Sequence, residues 1–345
     1  MNATQDAERA RRVTLSYASE PGDEITAAVI SRLGTRQTIE AVTGAPPEIR
    51  GIDHNAILDW QERTDKRLQT RTADGVMEAC LRHGIHIVIP GDSEWPTQLD
   101  DLPNPPVALY VKGDLSPLSR NLDSIVTIVG SRAATGYGEF VTQETVEGLS
   151  RDGFTIVSGV AYGIEGQAMR SALVSGDAPV AFLAGGLDRP YPAGHQELVD
   201  RVAEHGAVAS EVPPGMTPTR WRFMQRNRLL AAASGATVVV EAGARSGSLH
   251  VAAHAARLER VVAAFPGPVT SANSAGTHLL IEDRVASLVT KAEDITRLID
   301  QQGPNPTAPA PAIGVTPIDQ ARSRSLPDLG HDEPEQTPSR AAVGL

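Results

Sequence analysis

Glycine, serine and arginine residues follow several short apolar runs in the middle of this sequence. Glycine lets a ligand approach the backbone closely, and the first turn of a helix offers free N–H groups with partial positive charge. A tight turn explains one such loop, but five of them, with serine and arginine included, favour a site for phosphate or another anion. We call this predicted anion site the strand-end site. Its residues are Gly130, Ser131, Arg132, Ser158, Gly159, Gly163, Gly185, Gly186, Ser246 and Gly247.

The stretch 220–260 is a second candidate, because it contains seven arginines and two glutamates in a chain of net charge -11. Trp221 and Phe223 lie between its first arginines. Positive charge that follows a backbone, with rings that stack on bases, is typical of proteins that bind single-stranded nucleic acid. A solvated arginine face with both rings in the core fits the composition equally well.

Other site chemistries are less well supported. No G-x-G-x-x-G follows the first apolar run, and G-x-x-x-x-G-K-[ST] does not occur. His250 and His254 have metal-ligand spacing, but Val251 stands where H-E-x-x-H has its glutamate. Glu241 ends a buried run and is either a general base or, as we favour, an anchor for backbone N–H groups. We therefore predict no catalytic residue, no metal ion and no cofactor.

The elements that must position these residues are six unbroken apolar runs separated by helical segments. Such runs are typical of parallel strands that are buried on both faces. They predict an α/β fold with a Rossmann-like, doubly wound, mostly parallel sheet over roughly 123–300, whose ligands bind at the carboxyl ends of the strands. The runs are 124–130, 154–159, 179–186, 207–211, 236–243 and 260–267.

Composition divides the rest of the chain. We predict a flexible N-terminus at 1–21, a helical domain at 22–85, a Rossmann-like domain at 86–300 and a disordered, proline-rich tail at 301–345. In the helical domain, Asp23 is expected to cap a helix that Gly34 ends, and Asp74 to cap another that stops at Gly84. No signal peptide or membrane span is visible, so the expected location is the cytoplasm.

In order along the chain, these motifs resemble the DNA-processing protein A family, also called DprA or Smf. The resemblance covers about 82–290. It rests on the order of SGVAYGIEGQA (158–168), GGLDRPYP (185–192), FMQRNRLLAAAS (223–234) and VVVEAGARSGSL (238–249). It implies a non-catalytic protein that binds single-stranded DNA and loads the RecA recombinase on it during natural transformation. It also implies a homodimer, which we expect to form through the apolar segment 277–289.

The resemblance adds Arg226, Asn227 and Arg228 to the DNA- or phosphate-binding set, and Phe223 belongs to it through its place between the arginines. Arg226 and Arg228 cannot share one helix face, so one should point to the site and the other to neighbouring structure. We expect Arg132 and Arg228 to contact phosphate. For Arg132 the alternative is an ion pair with a carboxylate such as Glu241, which would only hold the loops.

The sequence also departs from the family pattern. Glu165 stands where the family has aspartate, and 249–252 and 276–285 differ as well. A proline-rich tail replaces the winged-helix module of many members. The alternative function is a nucleotide sensor or nucleotide N-glycosidase of the related Rossmann-like superfamily, although the P-G-G-x-G-T motif of such enzymes is missing. An NAD-dependent oxidoreductase is disfavoured, because the glycine fingerprint of that class is absent from the sequence.

Overall fold

The computed structural model describes residues 3–302. Its helices are α1 (Ala3–Ala18), α2 (Glu24–Thr43), α3 (His54–Leu68), α4 (Ala73–Arg82), α5 (Gly136–Arg151), α6 (Ile164–Val174), α7 (Gln196–His205), α8 (Arg220–Ala232), α9 (Ser248–Arg257), α10 (Ala275–Glu282) and α11 (Ala292–Gln302). Its strands are β1 (His86–Val88), β2 (Leu109–Gly113), β3 (Ile125–Val129), β4 (Thr155–Ser158), β5 (Val180–Leu183), β6 (Ala207–Ser210), β7 (Ala236–Val239), β8 (Val261–Ala264) and β9 (Ser287–Leu288).

The nine strands form one sheet in the order β1-β2-β6-β5-β4-β3-β7-β8-β9. Strands β3 to β8 are the six predicted runs, and they pair in parallel. The prediction of a Rossmann-like, doubly wound and mostly parallel sheet is therefore confirmed. The short strands β1 and β2 extend the sheet in antiparallel pairing beyond β6, and β9 pairs in parallel with β8.

Both faces of the sheet are buried, which explains why the runs are apolar without interruption. Alternate residues of β3 point to opposite faces. Val126 and Ile128 lie in a core that contains residues of α1, α4, α5, α6, α7 and α11, whereas Ile125 and Val129 lie in a core with residues of α8, α9 and α10.

The N-terminal residues differ from the prediction. We expected 1–21 to be loose, but 3–18 form α1, in which Val13 and Leu15 are fully buried. Val13 and Tyr17 share a core with the sheet, so the segment is ordered by burial at its last turns. Its many charges hide this pattern, since Arg12 pairs with Glu8 along the same helix.

The helix caps are partly as predicted. The Asp23 carboxylate accepts a hydrogen bond from the Thr26 N–H at 2.7 Å, which confirms it as the cap of α2. Gly34 leaves the helical conformation at φ 76°, but the chain resumes its helix up to Thr43. The cap of α4 is Thr72 and not Asp74, because the Thr72 hydroxyl accepts from the Gly75 N–H.

The limits of the predicted domains stay predictions, and the tail from 303 onward lies outside the described residues. Within 3–302, no helix is both long and apolar enough to cross a membrane.

Candidate nucleic-acid interface

The strand order reverses at β3, which pairs in parallel with β4 on one side and with β7 on the other. Loops that leave neighbouring strands in opposite directions open a crevice at the carboxyl edge. Here the Ser131 N–H donates to the Glu241 carbonyl at 2.7 Å, and the Ile164 N–H donates to the Ser131 carbonyl at 3.1 Å. The loops that follow β3, β4 and β7 therefore meet at Ser131.

Glu241 holds the β3–α5 turn. Its side chain is 1% exposed, and its two carboxylate oxygens accept from the Thr135 hydroxyl at 2.6 Å and the Thr135 N–H at 3.0 Å. Thr135 is the N-cap of α5, so the negative charge lies at the positive end of that helix. These contacts match the anchor interpretation of Glu241.

Arg132 follows β3 directly and is exposed. Within 3–302 no carboxylate lies within ion-pair distance of it, so the predicted alternative of a pair with Glu241 does not form. Its guanidinium lies 5.1 Å from the centroid of the Phe223 ring. The half-exposed ring of Tyr191 meets Phe223 edge to face, with 5.7 Å between centroids.

Arg226 lies on the same ring, with its guanidinium 5.7 Å from the Phe223 centroid. Unlike Arg132 it is buried, and it donates to Glu165 at 3.2 Å. A Cβ atom at Gly159 would collide with both partners of this pair, so the glycine makes room for it. Glu165, a departure from the family pattern, thus neutralises a charge directly beside the strand-end site.

Arg228 is engaged with neighbouring structure. It is 5% exposed and donates to Glu211 at 2.7 Å. Burial raises the pKa of the Glu211 carboxyl, and the charge of Arg228 offsets only part of that rise. The phosphate contact of Arg228 stays a prediction, and in this structure its guanidinium is engaged in a buried ion pair.

The apparent basic stretch 220–260 is largely neutralised in the fold. Four of its seven arginines pair with carboxylates from other parts of the chain. These pairs are Arg222–Glu20, Arg226–Glu165, Arg228–Glu211 and Arg260–Asp101. The two rings are not core residues, since Trp221 is 48% exposed and Phe223 is half-buried.

Several predicted residues shape the loops from beneath. The Ser158 hydroxyl is fully buried and donates to the Ile128 carbonyl at 2.6 Å. Gly185 and Gly186 are buried under the segment 213–218. Gly163 takes φ 76° in the turn before α6.

The remaining predicted residues lie in the turn after β3 and around the start of α9. A Cβ at Gly130 would collide with Ile164, which explains glycine there. Gly247 is exposed, and the Ser246 hydroxyl lies 2.7 Å from that of Ser248 at the start of α9. Asn227 donates to the Gly247 carbonyl at 3.4 Å and so joins α8 to this loop.

Four residues near the site are not among the predicted ones, namely Tyr162, Tyr191, Arg170 and His195. Both tyrosines are about half exposed, at 50% and 52%, and they lie in the loops after β4 and β5. Their position after strand ends was the available signal, because exposed rings there face the same edge as the glycine loops.

Fold and site together define a doubly wound α/β protein that presents arginines and aromatic rings at the carboxyl edge of its sheet. The sequence profile of the DNA recombination-mediator protein A family matches residues 86–300. The chain belongs to this family, whose members are also called DprA or Smf.

Its relatives include a putative DNA processing protein DprA of Mycobacterium tuberculosis, 40% identical over 300 residues, which are 84% of this chain and 74% of the relative. DprA of Bacillus subtilis is 32% identical over 234 residues, 68% of this chain and 78% of that protein.

Two solved structures are similar as well. The X-ray structure of DprA from Streptococcus pneumoniae has a TM-score of 0.67 and 27% identity, and covers 83% of this chain and 95% of that one. A structure of DprA from Helicobacter pylori, described for its single-stranded DNA binding mode, has a TM-score of 0.57 and 26% identity, over 63% and 96%.

Residues of the N-terminal region contact α8 and the segment that leads into it. Glu20 accepts from Arg222 at 2.9 Å and from Arg67 at 2.6 Å, and Arg71 donates to the carbonyls of Pro214 and Gly215. Burial pushes the pKa of the Glu20 carboxyl up, but hydrogen bonds and charge from its arginine partners outweigh burial and leave the pKa below its usual value. The orientation of Phe223 therefore depends on a glutamate some 200 residues away in sequence.

We expect Glu20→Gln to lower the free energy of unfolding by about 1–3 kcal/mol, because Arg222 loses its counter-charge while staying buried. The start of α8 should loosen too. Of the three tryptophans only Trp221 is solvent-accessible, since Trp60 and Trp95 are 1% and 3% exposed. Acrylamide quenching of tryptophan fluorescence should therefore increase.

The matched control is Glu40→Gln, which removes a carboxylate from the exposed pair with Arg36. It should change the free energy of unfolding by less than about 0.5 kcal/mol and leave quenching as it is. Equal behaviour of the two variants would contradict a role of Glu20 in holding α8.

Proposed function

We propose that this protein binds single-stranded DNA at the strand-end site and loads the RecA recombinase on it, as a mediator of recombination during natural transformation. The observation that carries the proposal is the exposed Arg132, which has no carboxylate partner within 3–302 and lies against Phe223. Tyr191 adds a half-exposed ring in contact with Phe223, and Trp221 adds another at the start of α8. A free cation beside accessible rings can bind a phosphate and stack a base at once.

The balance of charge and rings favours a single strand over a duplex. Duplex binding depends on many cations that neutralise phosphates, whereas four arginines of the basic stretch are paired within the fold. Rings stack on bases only when the bases are unstacked from a duplex. Stacking is tolerant of sequence, so we expect little preference among bases.

The RecA part of the proposal is supported by the family, which is described as a recombination mediator. It accords with a site that acts by binding and not by catalysis, because Glu241, which could have been a general base, is engaged by Thr135. The protein is expected to work in the cytoplasm, where recombination takes place.

The direct test is a gel-shift or fluorescence-anisotropy titration with single-stranded and double-stranded oligonucleotides of matched length. We expect clear preference for the single strand, similar affinity for different sequences, and no competition by free mononucleotides. Equal affinity for duplex would contradict the proposal. Tight binding of a free nucleotide without DNA binding would instead support a nucleotide sensor or N-glycosidase.

Arg132→Ala should weaken binding of every single-stranded sequence and lower the slope of log affinity against log salt by ~0.7 for each phosphate that the variant no longer neutralises. Thermal stability should be nearly unchanged, because Arg132 has no ion pair within 3–302 to lose. The control is Arg151→Ala, which removes an exposed arginine from the opposite end of α5. Wild-type binding by Arg132→Ala at all salt concentrations would show that the DNA site is elsewhere.

We also propose a homodimer that forms at the β9 end of the sheet. A cleft of about 590 Å³ lies there, lined by Ile281, Val285, Leu288 and Leu298 among others. Leu288 in this lining is 52% exposed, which leaves a large apolar side chain open to a partner. A second copy fits this apolar edge, and the family resemblance also implies a dimer.

Light scattering at micromolar concentration should give the mass of a dimer for the wild type and of a monomer for Leu288→Asp. An aspartate there would have to be buried without a partner in the interface. Leu81→Asp, which changes an 82% exposed leucine on α4, should leave the dimer intact. A wild-type monomer would refute the dimer.

A further inference from the structure

We propose that Tyr162, Arg170 and His195 form a second nucleotide subsite, in which Tyr162 stacks on a base and Arg170 binds a phosphate of the same single strand. This subsite is separate from the contacts of Arg132 and Phe223, and it rests on the proposed function. It would extend the binding surface from the crevice at β3 across the loops that follow β4 and β5.

Tyr162 is an accessible ring with a fixed orientation. It lies in the loop between β4 and α6 and is 50% exposed. Its ring meets His195 edge to face, with 4.7 Å between centroids and 68° between planes. A Cβ at Gly194 would lie 2.6 Å from the Tyr162 hydroxyl, so this glycine lets the ring lie close to the backbone. A ring that is held in place loses little freedom when a base stacks on it.

His195 connects the ring to a cation. It is 6% exposed, and its Nδ1 lies 2.8 Å from the Val160 carbonyl, which can only accept. Nδ1 therefore carries the hydrogen, and Nε2 of the neutral ring accepts from Arg170 Nη2 at 2.9 Å. The imidazole orients Arg170 without adding a negative charge.

Arg170 keeps its full charge on an open surface. It is exposed, and among residues 3–302 no carboxylate lies within ion-pair distance of it. Three arginines of α8, by contrast, are each paired with a glutamate. A guanidinium oriented by a neutral partner is well suited to a phosphate, because its fork of donors is placed in advance.

Two short connections join this cluster to the strand-end site. Tyr162 precedes Gly163, at which a Cβ would collide with the carbonyls of Ser131 and Arg132. On the other side, Tyr191 lies four residues before His195 and contacts Phe223. The rings of Phe223 and Tyr162 thus border one continuous surface together with the unpaired Arg132 and Arg170. A single strand of DNA can pass along this surface from Phe223 to Tyr162.

The experiment measures the affinity of the full chain for thymidine oligonucleotides of increasing length. Wild-type affinity should rise as the oligonucleotide becomes long enough to reach the second subsite. Tyr162→Leu and Arg170→Gln should bind the shortest oligonucleotides as the wild type does, but lose about tenfold on the longer ones. Arg170→Gln should also lower the salt slope by ~0.7, only for the longer oligonucleotides.

Two controls separate stacking and charge from altered folding. Tyr162→Phe keeps the ring and should bind every length like the wild type. Arg151→Gln removes an exposed arginine from the last turn of α5, in neither subsite, and should have no effect. All variants should melt within a few degrees of the wild type, because Tyr162 and Arg170 are exposed.

The outcomes distinguish this subsite from the proposed function. If Tyr162→Leu and Arg170→Gln bind every length like the wild type while Arg132→Ala does not, the second subsite is refuted and the DNA-binding function stands. Equal loss at all lengths would also refute it, because the effect would then act through the strand-end site. If the wild type binds no single-stranded DNA, the proposed function fails first.

Discussion

The buried carboxylate of Glu241 is the interaction on which the geometry of the site depends. A carboxylate away from water is costly unless hydrogen bonds satisfy it, and here both bonds come from Thr135. The backbone carbonyl of Glu241 accepts a hydrogen bond from the Ser131 N–H. Arg132 lies between these two fixed points, so its backbone has little freedom and its side chain is directed outward to Phe223. Strand β7 thus determines where a cation from the neighbouring strand is presented.

Helix α8 shows how arginines serve orientation more than net charge. Arg222, Arg226 and Arg228 pair with glutamates from the loop between α1 and α2, from α6 and from the residue after β6. A buried charge without its partner is strongly destabilising. A position of the helix that separated these pairs is therefore disfavoured. Three ion pairs to different parts of the chain therefore fix the position of α8 and, with it, the orientation of Phe223. The two unpaired arginines to which we assign phosphates, Arg132 and Arg170, are outside α8.

The six central strands could be predicted because short, unbroken β-branched runs are typical of strands buried on both faces, and their order placed the glycine loops at one edge. Strands β1, β2 and β9 are too short to show a period, and α1 hides its buried turn among charges. Counting charges in 220–260 could not reveal partners as distant as Glu20. The place of Phe223 between arginines fitted a core ring and a base-stacking ring equally well, and the pairing of Arg170 with His195 depends on contacts across the fold that a pattern does not contain.

The two ends of the sheet are unlike each other. At the β1 end, Arg9 of α1 donates to the Ile87 carbonyl and pairs with Asp92. A side chain of the same chain therefore engages a backbone carbonyl of β1. At the opposite end, Ser287 and Leu288 of β9 are exposed. A filament of sheets needs two complementary free ends on every copy, whereas a twofold pair needs one. With a single exposed edge strand among residues 3–302, the twofold pairing proposed above would occupy that edge and leave none for open-ended growth.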